Sequence, residues 1–206
     1  MGHLDLSYLW EQVKPGANVQ EEKQVSHTER NPVVRATLRL ENAESLDPLV
    51  EAVEPAIKSV FGSGRRGRLL RGDWLGHAIH PALTNVALGT WTSASLLDVL
   101  GGPDESEAAQ RLIGSGLLAA APTAWTGWAE WAAAGPRDKR VGLVHAGING
   151  LTIGIYAASW VARRRGRHKT GARLALGAGA VSSLGAYLGG HLAEARKVGT
   201  HHPAFN

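Results

Sequence analysis

Four long stretches without a charged residue dominate the last two thirds of this chain of 206 residues. They cover residues 74–97, 112–129, 141–162 and 174–193, and the shortest has 18 residues. A helix needs about 20 apolar residues to cross a bilayer. The chain is therefore predicted to be all-α, an integral membrane four-helix bundle with up-down connectivity. A soluble bundle with buried helices is the alternative, and a composition of Ala and Gly rather than Leu argues against it.

The charge distribution divides the chain into three predicted parts. Residues 1–73 form a polar juxtamembrane region, residues 74–195 the four-helix transmembrane domain, and residues 196–206 a tail. Within the first part, residues 32–42 alternate apolar and polar side chains, which predicts a half-buried strand, with a short helix as the alternative. Residues 47–61 are predicted to form an amphipathic helix, because their apolar side chains recur on one helical face.

Composition excludes several classes of function. There is no cysteine, so disulfides, cysteine-ligated zinc, iron–sulfur clusters and thiol nucleophiles are excluded. The net charge is +4, and the basic residues flank the apolar runs, which fits anionic lipid better than nucleic acid. The basic run at 163–169 is accordingly predicted to contact lipid headgroups. Asp98 is predicted to be a helix-end group near Arg111.

Up-down connectivity brings four histidines to one membrane face. His77 and His80 open the first span, His145 lies one turn into the third, and His191 lies near the end of the fourth. Ionisable groups inside membranes are costly and usually mark a functional interior. Neutral imidazole binds haem iron, copper or zinc. The four histidines are therefore the predicted cofactor-binding or metal-binding residues.

Three further residues are predicted to support this cluster. Asn149 lies one helical turn from His145, and Tyr187 lies one turn from His191, so either side chain could orient a ligand imidazole. Glu130 closes the second span at the same face and is predicted to be an interfacial carboxylate rather than a ligand. Basic residues near the span ends number ten on this face and seven on the other, which predicts cytoplasmic termini.

Four segments of the spans carry a family resemblance. The first span opens with Gly76-His77-Ala78-Ile79-His80-Pro81, and the others are APTAWTGWAEW (121–131), VHAGIN (144–149) and GAYLGGHL (185–192). Over residues 45–195 the chain resembles the domain-of-unknown-function family numbered 2231, predicted four-helix membrane proteins of bacteria. Ala78 departs from the entry motif of that family, which has a proline there. The resemblance implies a multi-pass protein of the bacterial plasma membrane.

The chain is most similar to the version of this module that precedes a Rieske iron–sulfur domain in longer proteins. With no cysteine, it has no such domain of its own. The resemblance implies an association with redox partners, such as a Rieske-type protein. It also implies that the histidines are similar to those of membrane bundles that bind b-type haem.

These residues support a leading hypothesis for the function of the chain and an alternative. In the first, the histidine face binds a b-type haem, or else a transition-metal ion, and passes electrons to or from a partner. A four-helix bundle can hold haem between two axial imidazoles, here His77 or His80 opposite His145 or His191. The alternative is a non-catalytic membrane scaffold or anchor with hydrogen-bonding histidines. A metal-ion permease ranks last, because no chain of ionisable groups crosses the bundle. Small residues at every fourth position of the third span are expected to pack helices, and an oligomer is one outcome.

Overall fold

The computed structural model describes residues 31–102 and 105–199. Two π-helical turns, Lys58–Gly62 and His191–Ala195, accompany the helices of this described part. No strand occurs in it, so the predicted all-α class is confirmed. Residues 1–30 and the end of the predicted tail, 200–206, lie outside the described residues. The described α-helices are α1 (Pro32–Glu41), α2 (Asp47–Ile57), α3 (Gly64–Arg71), α4 (His80–Leu100), α5 (Ser106–Ala133), α6 (Pro136–Arg164) and α7 (His168–Gly190).

Residues 32–41 form helix α1, so the prediction of a half-buried strand is wrong. The side chain of Asn31 caps the helix by accepting a hydrogen bond from the backbone nitrogen of Val33 at 2.9 Å, and Pro32 lies in the first turn. Asparagine at the N-cap followed by proline is a strong helix-start signal, and it outweighs a short alternation. The chain divides after Asn42 into two compact units, so α1 belongs to the first and α2 to α7 belong to the second.

Four long helices, α4 to α7, make up most of the second unit. α4 packs mainly against α5 and α6 mainly against α7, and the two hairpins meet through contacts of α5 with α6 and of α4 with α7. The core is largely alanine around two aromatic rings, Trp91 and Tyr156, which stack with centroids 4.2 Å apart. Small core residues let the helix backbones approach closely. Each uncharged run of the sequence coincides with most of one of these helices.

One of the described helices, α6, is long and apolar enough by length and composition alone to cross a membrane. The composition of the helices therefore supports one span, and the other three spans stay a prediction. On α6, Gly142 packs within the bundle, where an added Cβ would lie 2.6 Å from the Trp131 ring. At Gly150 and Gly154 an added Cβ would meet no atom of the described residues within 4 Å. The small-residue stripe is thus shared between a packed face and an open face.

Helix α2 is attached to the start of α6 by two ion pairs. Lys139 Nζ lies 2.6 Å from Glu54 Oε1, and Arg140 Nη2 lies 2.6 Å from Asp47 Oδ2. The hydrogen bond from Arg140 lowers the pKa of Asp47, and the hydrogen bond from Lys139 is the main cause of the lowered pKa of Glu54. The segment predicted to be amphipathic, residues 47–61, forms α2 and most of the π-helical turn that follows it.

A buried ion pair joins α4 and α6 at the end of the bundle opposite to His80. Arg163 Nη2 donates to Asp98 Oδ2, and the side chains are 1% and 5% exposed. The prediction that Arg163 contacts lipid headgroups is wrong, and Asp98 pairs with it rather than with Arg111. Helix α6 continues through Arg164, so its periodicity turns Arg163 inward. Gly171 leaves the space, because a Cβ there would lie 2.4 Å from Arg163 Cγ.

Candidate functional site

His80 is the first residue of α4 and hydrogen-bonds to α5. Its Nδ1 lies 2.9 Å from the carbonyl oxygen of Thr123 and 3.3 Å from Thr126 Oγ1. A carbonyl oxygen only accepts, so Nδ1 carries a hydrogen and donates it. Gly127 lets α5 approach the ring, because a Cβ there would lie 2.8 Å from Cε1 of His80. Helix α5 therefore holds the imidazole through Nδ1, and these two contacts do not involve Nε2.

His145 makes the same kind of contact between α6 and α7. Its Nδ1 donates to the carbonyl oxygen of Gly185 at 2.9 Å. Gly189 lies against the ring, where an added Cβ would be 2.9 Å from Cε1 of His145. Here Nε2 also has a partner, because Asn149 Nδ2 donates to it at 2.9 Å. His145 is consequently a neutral imidazole with both nitrogens hydrogen-bonded.

His80 and His145 line the same two adjoining cavities, which we name the inner cavities. Each has a volume of about 300 Å³, at the lower end of the range for small-molecule sites. Both are also lined by Asn149 and by small or apolar side chains such as Ala124 and Ile153. Two imidazoles from different helices thus line the same mostly apolar cavities.

A third cavity of about 510 Å³, the outer cavity, lies at the same end of the bundle and is lined by charged groups. Two ion pairs neutralise four of them: Arg71 with Asp73 at 3.3 Å, and Arg196 with Asp138 at 2.6 Å. Glu130 is only 9% exposed, and its Oε1 has no hydrogen-bond partner among the residues that the structure describes. Glu130 lines both the outer cavity and one inner cavity. Its side chain is therefore buried between two cavities, and its place at a membrane interface stays a prediction.

The structure separates the four predicted histidines. His80 and His145 come together at the inner cavities. His77 is exposed in the turn before α4 and lines the outer cavity. His191 begins the π-helical turn after α7 and does not line the inner or outer cavities. Tyr187, predicted to orient His191, is 43% exposed on α7. Of the predicted pairs of ligand histidines, His80 with His145 is the pair that lines shared cavities.

The donor groups at this site are few. Within residues 31–102 and 105–199, no group of three or more histidine, aspartate or glutamate side chains is placed to hold a metal ion. The contacts that sequence reasoning missed are the carbonyls of Thr123 and Gly185 and the glycines that pack against the rings. A signal was present, because in both hairpins the accepting carbonyl precedes the packed glycine by four residues.

One protein family matches the chain over residues 76–202, which is more than half of its length. The family is described as predicted membrane protein, domain of unknown function 2231. No curated protein and no solved structure matches the chain. The matched range contains α4 to α7 and both imidazoles of the inner cavities. The chain therefore belongs to domain-of-unknown-function family 2231, a family of predicted membrane proteins.

Proposed function

We propose that the chain is a multi-pass membrane protein whose four spans are α4 to α7. These helices contain 21, 28, 29 and 23 residues, and about 20 suffice to cross a bilayer. Soluble monomers rarely expose large contiguous apolar patches. Here every long helix carries large apolar side chains that are more than half exposed: Val86 and Leu96 on α4, Leu118 on α5, Leu151 on α6 and Leu184 on α7.

The proposed location is the bacterial plasma membrane, with the His80 and His145 end of the bundle at the cytoplasmic side. The family resemblance supports the location, and the excess of basic residues near that end supports the orientation. The basic helix α3 precedes the first proposed span. Trypsin should therefore cleave α3 in inside-out vesicles and spare it in sealed right-side-out vesicles, and the reverse pattern would contradict the orientation.

For the activity, the proposal is that His80 and His145 hold a b-type haem and that the protein takes part in electron transfer. One observation carries it. The two imidazoles line the same cavities from different helices, and each donates its Nδ1–H to a backbone carbonyl of a neighbouring helix. Metal-ligating histidines generally donate their other ring N–H in this way, which fixes the ring and directs the remaining nitrogen at the metal.

The donor set favours haem over a bare metal ion. A structural zinc site has four protein ligands and a catalytic one has three, whereas two imidazoles such as those of His80 and His145 would suffice to hold a haem iron. Two buried oxygens, Thr152 Oγ1 and Glu130 Oε1, have no hydrogen-bond partner in the described part of the chain. Each belongs to a residue that lines one inner cavity and could bond to a polar ligand edge. When bound, haem supplies one-electron chemistry at a potential set by its axial ligands and surroundings. The partner would be a redox protein, such as a Rieske-type protein.

A non-catalytic scaffold or anchor is the second candidate, and the hydrogen bonding of His145 favours it. Both nitrogens of that ring have partners within the bundle, so the histidine is fully satisfied as a structural group. In this function the packing of the hairpins would serve only to present the outer helix faces to partner proteins. Oligomerisation through the small residues of the bundle helices stays a prediction.

Absorption spectra of the detergent-solubilised protein, as isolated and after addition of haemin, separate the two candidates. Haem binding predicts a Soret band typical of histidine ligation in the unaltered protein. His80→Ala and His145→Ala should each remove it, because each takes away an axial ligand.

His77→Ala and His191→Ala are the matched controls, since neither residue lines the inner cavities, and both variants should keep the band. A protein that takes up no haemin would contradict the haem proposal and favour the scaffold. Spectra of His80→Ala and His145→Ala that equal the unaltered spectrum would also contradict it.

A further inference from the structure

The first helices of the two hairpins, α4 and α6, are related residue by residue. Trp91 stacks on Tyr156, and Asp98 pairs with Arg163, a separation of 65 residues in each case. His80 and His145 have the same separation and line the same cavities. At three levels of the bundle, a residue of α4 thus contacts, or shares a cavity with, the residue of α6 that lies 65 positions later.

The second helices, α5 and α7, also correspond: a residue of α5 has the same role as the residue of α7 that lies 62 positions later. The carbonyl of Thr123 accepts from His80, and the carbonyl of Gly185 accepts from His145. Gly127 and Gly189 lie against the corresponding rings. The segments between them are similar in sequence, TAWTG at 123–127 and GAYLG at 185–189. The two hairpins thus make equivalent contacts around the two imidazoles, each with a carbonyl and a glycine at matching positions.

One position breaks this equivalence at the site. Four residues after His80 stands Thr84, whose Oγ1 donates to the backbone carbonyl of His80 at 2.9 Å. Within the described residues, the His80 ring makes its hydrogen bonds through Nδ1. Four residues after His145 stands Asn149, whose amide donates to Nε2 of that ring. The two imidazoles are equivalent in position, but one has a capped Nε2 and the other does not.

We call the hydrogen bond from the Asn149 amide to Nε2 of His145 the cap. A second difference between the hairpins leaves space for it. Position 123 of the first hairpin is threonine, and the matching position of the second is Gly185. A Cβ on Gly185 would lie 2.6 Å from Oδ1 of Asn149, closer than van der Waals contact allows. The larger side chain at 149 is thus accommodated by the absence of one at 185. The cap therefore depends on both asparagine at position 149 and glycine at position 185.

We propose that Asn149, accommodated by Gly185, controls how many imidazoles the inner cavities offer to a ligand. With the cap in place, Nε2 of His80 is open and Nε2 of His145 is closed. A ligand that uses both rings must first displace the Asn149 amide from His145. Asn149 is a positioning residue in this scheme, since it acts through the imidazole and need not touch the ligand. The inference rests on the proposed two-imidazole site and adds a specificity-determining residue to it.

Two variants remove the cap by independent routes. Asn149→Thr gives the second hairpin the residue of the first, and Gly185→Ala displaces the amide sterically. Thr84→Ala is the matched control, because its hydroxyl bonds to backbone and not to a ring nitrogen. The first readout needs no haem: diethyl pyrocarbonate acylates unprotonated imidazole nitrogen, and mass spectrometry measures the rate at His145. Losing one hydrogen bond should raise that rate roughly 3- to 10-fold in both variants, and Thr84→Ala should leave it unchanged.

The second readout is haemin titration. Both cap-removing variants should bind haemin roughly 3- to 10-fold more tightly than the unaltered protein. An acylation rate at His145 that is unchanged in both variants would overturn the cap. Faster acylation with unchanged haemin affinity would overturn its control of the ligand and leave the haem proposal standing. If no variant binds haemin, the haem proposal fails, and the acylation rates alone decide whether Asn149 caps His145.

Discussion

The ion pair between Asp98 and Arg163 gives the sharpest test of how the two hairpins are held together. Both side chains are almost fully buried, and Arg163 also lies within hydrogen-bond distance of Ser159. Asp98→Asn keeps the shape of the side chain but leaves the guanidinium without a counter-charge. Removing one partner of a buried pair costs about 3–5 kcal/mol. The asparagine oxygen can still accept from Arg163, so we expect the free energy of unfolding to fall by about 3 kcal/mol.

Two comparisons identify burial as the cause. Glu107 pairs with Arg111 at 2.6 Å, but these side chains are 71% and 76% exposed, so Glu107→Gln should change the free energy of unfolding by less than about 1 kcal/mol. The double variant Asp98→Leu with Arg163→Met replaces the buried pair by apolar side chains. It should recover most of the stability that Asp98→Asn loses, because no unpaired charge remains buried.

The measurement is equilibrium unfolding in mixed detergent micelles, followed by circular dichroism, with the three variants compared in the same micelles. The reasoning predicts a large loss for Asp98→Asn, a small one for Glu107→Gln and recovery in the double variant. If Asp98→Asn costs no more than Glu107→Gln, the pair is solvated, and the inward orientation of Arg163 is refuted.

Two further predictions concern the α2 contact and the packing of the core. The ion pairs that lower the pKa of Asp47 and Glu54 stabilise the attachment of α2 above the ordinary carboxyl pKa values and lose this effect as the pH falls through the lowered ones. Amide hydrogen exchange in α2, corrected for the intrinsic rate, should therefore be faster at about pH 3 than at about pH 6; equal protection would contradict the ion pairs. In the core, a Cβ at Gly116 would lie 2.2 Å from Nε1 of Trp91, so Gly116→Val should cost at least about 1–3 kcal/mol in thermal or chemical unfolding. At Gly89 an added Cβ would meet no described atom within 4 Å, so Gly89→Ala should instead be neutral or stabilise by up to about 1 kcal/mol. Equal losses in the two variants would contradict the close contact at Gly116.

The uncharged runs of the sequence located the long helices, because charge is expensive on a buried or lipid-facing helix. Helix α4 begins at His80 rather than at residue 74, since Pro81 fits the first turn of a helix and the residues before it form a turn. Connectivity also brought His80 and His145 to one end of the bundle. These features depend on local composition and on helix order, which a single sequence carries.

The orientation of individual side chains was harder to predict from the sequence. Arg163 belongs to a basic run, and only the helix register and the space left by Gly171 turn it inward. The separation of His191 from the inner cavities depends on where α7 ends and the π-helical turn begins. The backbone carbonyls that hold the imidazoles come from packing between helices, which no spacing within one helix specifies. A comparison of the two halves of the sequence with each other would have revealed much of this site.

The proposed haem binding requires that His80 and His145 together hold one ligand between the two hairpins. The direct measurement is the ratio of haem to protein after haemin treatment and gel filtration, determined by the pyridine haemochrome method and amino-acid analysis. We predict a ratio near one for the unaltered chain and for His77→Ala, and near zero for the double variant His80→Ala with His145→Ala. A ratio near zero in the unaltered chain, or an undiminished ratio in the double variant, would contradict the claim.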